Sequence, residues 1–348
     1  MKIVDLRSDT VTLPTPAMRK AMYEAELGDD VYGEDPTVNK LEELSARRLG
    51  TEAALLTVSG TMSNLVALLV HTGRSDEVIM GDKAHTFLYE VGGAAGLGGM
   101  TIHTVQNKPD GTLRLEDVEA AVRLPGNVHF PRTKLIVIEN TQNRMGGTVL
   151  PAEYMDALGA LARKHGLRVH MDGARIFNAA VALGVDASVL TRSVDSVCFC
   201  LSKGLACPVG SVLGGSGDFI DEARRYRKMV GGGMRQAGVL AAAGLVALEQ
   251  MVDRLADDHA NAQQLADGLA EVPGVEINLA SVQSNIIVFR LLAPAWTTDA
   301  FHAAVQEKGV RFNVVTDRQF RLVTHYGVTA EDVDYVLKAF RQVLGSSK

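Results

Sequence analysis

Apolar and polar positions follow two rhythms along the 348 residues of the chain. Short apolar runs predict buried strands at 53–58, 77–80, 101–105, 134–139, 168–171 and 209–214, and another in the run Val197 to Gly204. Between them lie helical patterns at 17–25, 37–49, 65–70 and 151–165. Leu41, Leu44 and Leu49 mark the inner face of the second, and Met155, Leu158, Leu161 and Ala162 that of the last. Strand, helix, strand with such crossovers implies a parallel sheet flanked by helices, an α/β architecture. A basic helix at 218–229 is followed by the breaker Gly231-Gly232-Gly233 and a helical stretch over 236–269. Beyond it, strands near 285–291 and 320–324 with helices near 298–308 and 330–344 predict a smaller α+β domain. The expected division is an extended arm at 1–15, a large domain at 16–245 and a small one at 246–348 that includes the connecting helix.

A chain of this length buries a sizeable core, and 47% hydrophobic with 22% charged residues is ordinary for a globular protein. The net charge of -6, with Lys and Arg scattered, leaves no footprint for nucleic acid. Charges near the start, Lys2, Asp5 and Arg7, interrupt any signal-peptide core, and the longest strongly apolar run, 237–248, is too short to span a bilayer. Three cysteines, Cys198, Cys200 and Cys207, lie close together with no ligand-spaced His or further Cys nearby. Buried thiols in a reducing, cytoplasmic compartment are the expected reading, with no disulfide framework and no metal.

Lys203 is the residue that most needs a chemical reason. It follows an apolar strand and a hydroxyl, Ser202, and precedes Gly204. Desolvation there makes an amine nucleophilic enough to form a Schiff base, and ligands of open α/β sheets collect at the carboxyl ends of strands. Ser59-Gly60-Thr61 passes from a strand into a helix, a turn that either caps the helix or holds a phosphate on its free N–H groups. Asp172 follows the strand at 168–171 and is either a turn residue or a buried acid. A phosphate cradle, an acid for a pyridine nitrogen and an aldehyde-holding lysine are together what pyridoxal 5'-phosphate (PLP) requires. The dinucleotide, P-loop and serine-hydrolase signatures are absent.

The segments Leu6-Arg7-Ser8-Asp9-Thr10, Gly28-Asp29-Asp30-Val31-Tyr32-Gly33, Ser59-Gly60-Thr61, His170-Met171-Asp172-Gly173-Ala174-Arg175, Leu201-Ser202-Lys203-Gly204, Gly231-Gly232-Gly233-Met234-Arg235-Gln236 and Arg321-Leu322-Val323-Thr324-His325 occur in order along nearly the whole chain. Together they resemble the low-specificity L-threonine aldolases, PLP enzymes of the aspartate-aminotransferase fold. The resemblance implies a mostly parallel seven-stranded sheet and cleavage of L-threonine and L-allo-threonine to glycine and acetaldehyde. It further implies Lys203, beside Ser202, as the Schiff-base lysine, Asp172 as the partner of the pyridine nitrogen, Ser59, Gly60 and Thr61 as the phosphate cradle, and His85 stacked on the ring. Ser8, Arg175 and Arg321 would hold the substrate carboxylate. Tyr32, Lys228 and Arg235 would reach a neighbouring subunit's site in a homotetramer. The base for the β-hydroxyl would be His85, His129 or a water between them. The segment Gln142 to Gly147 and the pair Tyr326-Gly327 depart from the family pattern. Other PLP enzymes, such as an aminotransferase, a racemase or a serine hydroxymethyltransferase-like aldolase, and a non-catalytic binding protein are the alternatives.

Overall fold

The apolar runs become strands of one sheet in the computed structural model, which describes residues 2–345. After a two-residue strand β1 (Val4–Asp5) come β2 (Ala53–Thr57), β3 (Glu77–Gly81), β4 (Thr101–Val105), β5 (Thr133–Glu139), β6 (Arg168–Asp172), β7 (Ser196–Cys200) and β8 (Ser211–Gly215). The last seven pair in the order β2-β8-β7-β6-β5-β3-β4. The pairs from β7 to β4 are parallel, while β8 runs antiparallel to both β2 and β7. β2 therefore shares the direction of β7, and the residues following β2, β3, β5, β6 and β7 all arrive at one edge of the sheet. The strand predicted through Gly204 stops at Cys200, and Asp172 is the last residue of its strand rather than the first beyond it.

Helices cover the sheet where the 3.6-residue period predicts them, at Pro16–Tyr23, Pro36–Leu49, Gly60–His71, Ala152–Lys164 and Gly217–Met229. Each of these helices carries a start signal, a capping hydroxyl or carboxylate or, for Ala152–Lys164, the preceding Pro151. Asp35 caps Pro36–Leu49 through the N–H groups of Thr37 and Val38, and Gly50 ends that helix at φ 67°, a left-handed conformation that a Cβ would oppose. The apolar stretch expected to run unbroken over 236–269 is two helices, Gly238–Gln250 and Leu255–Ala270.

The second of these helices links two hydrophobic clusters. Leu255 packs in a cluster that draws on the sheet and its helices, whereas Ala262, Leu265, Ala266 and Leu269 pack in another built from the C-terminal elements. That second cluster lies on the sheet β12-β13-β10-β9, formed by β9 (Val275–Ile277), β10 (Ile286–Leu291), β12 (Asn313–Thr316) and β13 (Gln319–Val323). Five phenylalanines, Phe289, Phe301, Phe312, Phe320 and Phe340, fill it and are at most 1% exposed. Burying each stabilises by about 1.5–3 kcal/mol. The opening segment does not stand apart as an arm. β1 pairs in parallel with β11 (Val310–Arg311), and Val4 and Leu6 are buried in the same C-terminal cluster.

Candidate active site

Because β8 returns antiparallel beside β7, the chain between them must turn tightly at the shared edge of the sheet, and Lys203 lies in that turn. Leu201 N–H donates to Gly210 O (3.0 Å) and Cys207 N–H to Leu201 O (3.0 Å), closing the loop, while Thr12 Oγ1 donates to Lys203 O (3.0 Å). Ser202 and Lys203 are both half-buried there. Across the same edge Ser59 caps the helix Gly60–His71, accepting from Met62 N–H at 3.2 Å. A Cβ on Gly60 would stand 2.8 Å from Cys200 Sγ, so the start of this helix seats against the end of β7 only because residue 60 is glycine. All three cysteines are free and buried.

Asp172, 2% exposed, sits at the centre of a polar network. It accepts from Asn64 Nδ2 at 2.9 Å and from Ala174 N–H at 3.1 Å. The same Asn64 nitrogen lies 2.7 Å from Glu90 Oε1, and that oxygen is 2.9 Å from His85 Nδ1. Glu139, ending β5, accepts from the backbone N–H groups of His85 (2.9 Å) and Asn143 (3.0 Å). Burial, reinforced by the Asp172 charge, pushes the Glu139 carboxyl up to about 7. Burial also raises Glu90, with the Asp172 charge in the same sense and the hydrogen bonds from His85 and Asn64 against it. For His85, burial works downward. The Glu90 hydrogen bond and the charges of Asp172 and Glu90 outweigh it and hold the imidazole above its ordinary value.

Beside this network opens a cavity of about 480 Å³, lined in part by His85, Tyr89, Asn143, Arg144 and Arg321. Arg321, on β13, has a buried Nε with no partner, and burial followed by the Arg175 charge lowers its guanidinium to about 10. An unsatisfied buried guanidinium is costly, and a carboxylate ligand would satisfy it. Arg175 is occupied differently from expectation. Its Nε and Nη2 make a two-pronged pair with Asp9 at 2.7 Å each, which leaves Nη1 for a ligand. The pair holds Asp9 well below the usual carboxylate range despite burial. Ser8 is half-buried next to it and accepts from Thr10 N–H at 3.2 Å. The departing segment Gln142 to Gly147 is a turn in which Gly147 N–H donates to Gln142 O (2.9 Å), and it supplies Asn143 and Arg144 to the cavity wall. The other departure, Tyr326, packs under Arg254.

Lys203, Asp172, His85, Arg175 and the turn Ser59-Gly60-Thr61 thus share one edge of the seven-stranded sheet, Arg321 of β13 lines the cavity with His85, and the charge of Lys203 acts on both Asp9 and His85. These residues fit PLP: an amine for its aldehyde, a buried acid for its ring nitrogen, helix-start N–H groups for its phosphate, and an unpaired arginine for a substrate carboxylate. Other expected residues are not gathered within the chain. His129 is exposed in the loop before β5, whereas His85 meets Glu139 at the far end of that strand. The strand's length puts roughly 20 Å between the two ends. A water shared by the two imidazoles is therefore not available within one protomer. Tyr32 is 74% exposed, Lys228 is exposed on the helix Gly217–Met229, and Arg235 pairs with Asp29 at 3.0 Å. Asn64, Glu90, Glu139 and Asp9 carry no assignment from the sequence. Asp9 is singled out there only as part of the segment Leu6 to Thr10, and Asn64 and Glu139 only as polar residues within or beside an apolar run.

Residues 5–291 match the family described as beta-eliminating lyase. A probable low-specificity L-threonine aldolase 2 of Arabidopsis thaliana is 49% identical over 99% of this chain and 98% of its own length. A low specificity L-threonine aldolase of Escherichia coli K12 is 45% identical over 98% of this chain and 99% of its own. Among solved structures, the Leishmania major threonine aldolase superposes with a TM-score of 0.84 at 21% identity, covering 98% of this chain and 99% of its own.

The network makes a prediction that needs no turnover. In the full-length protein the His85 imidazole stays protonated as pH rises past about 6.5 and loses its proton only at the raised value. Glu90→Gln removes a partner of the charged form, so the midpoint falls, by more than about half a unit. NMR titration of the histidine ring checks this, and an unmoved midpoint would show that Glu90 does not hold the proton.

Proposed function

The chain belongs to the beta-eliminating lyase family, and from that premise we propose that it is a PLP-dependent aldehyde-lyase. It cleaves L-threonine and L-allo-threonine reversibly to glycine and acetaldehyde. The observation that carries this reading is the placing of His85, one imidazole that both joins the Asp172 network and lines the cavity holding the unpaired Arg321. The relatives named as L-threonine aldolases, alike over nearly the whole chain, support it.

When bound, PLP supplies an aldehyde that links to the substrate amine and a ring that accepts the electrons of the breaking Cα–Cβ bond. The chain does the rest. Lys203 holds the aldehyde between turnovers, and Asp172, buried and hydrogen-bonded, keeps negative charge beside the ring nitrogen. Arg321 and the free Nη1 of Arg175 take the substrate carboxylate, which fixes the bond to be broken relative to the ring. His85, with Nδ1–H committed to Glu90, takes the β-hydroxyl proton on Nε2 from its neutral form, which the raised midpoint moves to higher pH. Cβ is held less firmly than Cα, and this is the physical basis of low selectivity there.

Assembly is part of the proposal. Tyr32, Lys228, Arg235 and His129 lie outside this chain's own cavity, so any part they take in catalysis comes from a neighbouring protomer of a homotetramer. Among the described residues no helix is long and apolar enough to cross a membrane. Three free thiols suit a reducing, cytoplasmic setting.

Acetaldehyde and glycine release from the four threonine stereoisomers tests the activity. Both L-isomers should be cleaved and both D-isomers rejected. A kcat/KM for one L-isomer below about a hundredth of the other's, a gap of about 2.7 kcal/mol, would contradict low selectivity. Arg321→Ala should raise KM for L-threonine at least about tenfold and also lower kcat, because the lost clamp both binds and aligns. Wild-type kcat/KM in that variant would remove Arg321 from the site. Finally, Lys203→Ala and Arg235→Ala homo-oligomers should each be inactive. Subunits exchanged between them should regain activity through sites that combine one intact lysine with one intact arginine, and no recovery would place Arg235 outside the shared site.

A further inference from the structure

Asn64 is 1% exposed and joins residues that the reaction uses at opposite ends. Its Nδ2 is 2.9 Å from Asp172 Oδ2 and 2.7 Å from Glu90 Oε1. Charged carboxylate oxygens only accept, so the NH2 side of the amide must face them, whichever way an amide could be drawn. Its Oδ1 then faces His170 Nε2 at 3.0 Å and Cys198 Sγ at 3.2 Å, and both must donate. This fixes His170 as the Nε2–H tautomer, whose Nδ1 accepts from Ser196 Oγ at 2.8 Å. Ser196 Oγ in turn accepts from His71 Nε2 at 2.7 Å, and the His71 ring stacks on Phe219. Burial keeps both imidazoles neutral, pushing His71 down to about 4 and His170 to about 3. Every donor in the chain from His71 to Asn64 therefore points toward the two acids.

We propose that Asn64 is a positioning residue whose amide, oriented by His170, keeps the carboxylates of Asp172 and Glu90 charged together and so couples the ring-nitrogen acid to the His85 base. The inference rests on the PLP reading for its catalytic meaning, but not for its geometry. His85, Glu90 and Asp172 each place one polar atom within 4.8 Å of the others. Two negative charges at that separation in a buried site repel strongly, and without directed donors one of them takes up a proton. The other groups facing them do not substitute for the amide. Glu139 adds a further acid, the Cys198 thiol is raised by burial and stays neutral, and His85 brings one positive charge for two negative ones, with Lys203 acting on it from the loop beyond β7. With Asn64 absent, Glu90, raised by burial and by the Asp172 charge, loses a hydrogen bond that favours its charged form, gains a proton and releases its hold on His85.

The test pairs His170→Gln with His170→Leu in the full-length protein. A glutamine amide can donate to the Asn64 oxygen as the imidazole does, whereas leucine cannot. Nitrogen-15 NMR of wild type should show His170 neutral, in the Nε2–H form, down to about pH 5. The His85 midpoint and the pH dependence of the cofactor's visible band in the holoenzyme should shift in His170→Leu by about half a unit or more and stay near wild type in His170→Gln. Asn64→Leu should shift both further and lower kcat at least about tenfold. An Nδ1–H tautomer for His170, or identical shifts in the Leu and Gln variants, would overturn the proposal. If the tautomer and the His85 shifts are as stated while wild type releases no aldehyde from threonine, the relay stands and the functional reading falls.

Discussion

The cost of burying negative charge sets the layout of the site. Asp172, Glu90 and Glu139 are all less than a tenth exposed, and the Asp172 charge adds to burial in raising the cost of ionising the other two. They persist together because donors meet them from five directions: the Asn64 amide, the His85 ring, the His85 backbone, the Ala174 backbone and the turn after β5. Parallel strands ending at one edge make this possible, since each strand end delivers one polar side chain to a common point without breaking its own ladder. The antiparallel β8 adds the tight turn that brings Lys203 to the same edge.

A second buried pair binds the opening segment to this edge. Asp9 is fully buried and holds Arg175 with two hydrogen bonds, and Asn285, at the start of β10, donates to the same carboxylate at 3.2 Å. Residues from three distant parts of the chain thereby meet between the main sheet and the C-terminal cluster. Breaking such a pair by removing one partner would strand a charge in the interior, at about 3–5 kcal/mol. Asp9 is thereby committed to Arg175, and although its charge also acts on Arg321, the buried Nε of Arg321 is left without a hydrogen-bond partner.

The family assignment and the geometry answer different questions. Identity over the whole length with relatives called threonine aldolases bears on which reaction the fold serves. The geometry bears on where the side chains lie: within one protomer His85 and His129 are at opposite ends of β5, and Arg175 pairs with Asp9 through two of its three nitrogens.

The sequence by itself determined the strands, the helices on the sheet, and the positions of Lys203, Asp172 and the Ser59-Gly60-Thr61 turn, because apolar periodicity and breaker residues are local properties. It also carried, through the order of its motifs, the family and the cofactor. Tertiary structure alone decided the partners. Asn64 meets Glu90 26 residues on and Asp172 108 residues on, and Asp9 meets Arg175 at a separation of 166. No local pattern marks such residues, since a buried polar group is tolerated only where a distant one happens to satisfy it. The same holds for the break in the helical stretch at 251–254, for β1 joining the C-terminal elements, and for His129, whose distance from His85 follows from the direction of β5 and from nothing in its own neighbourhood.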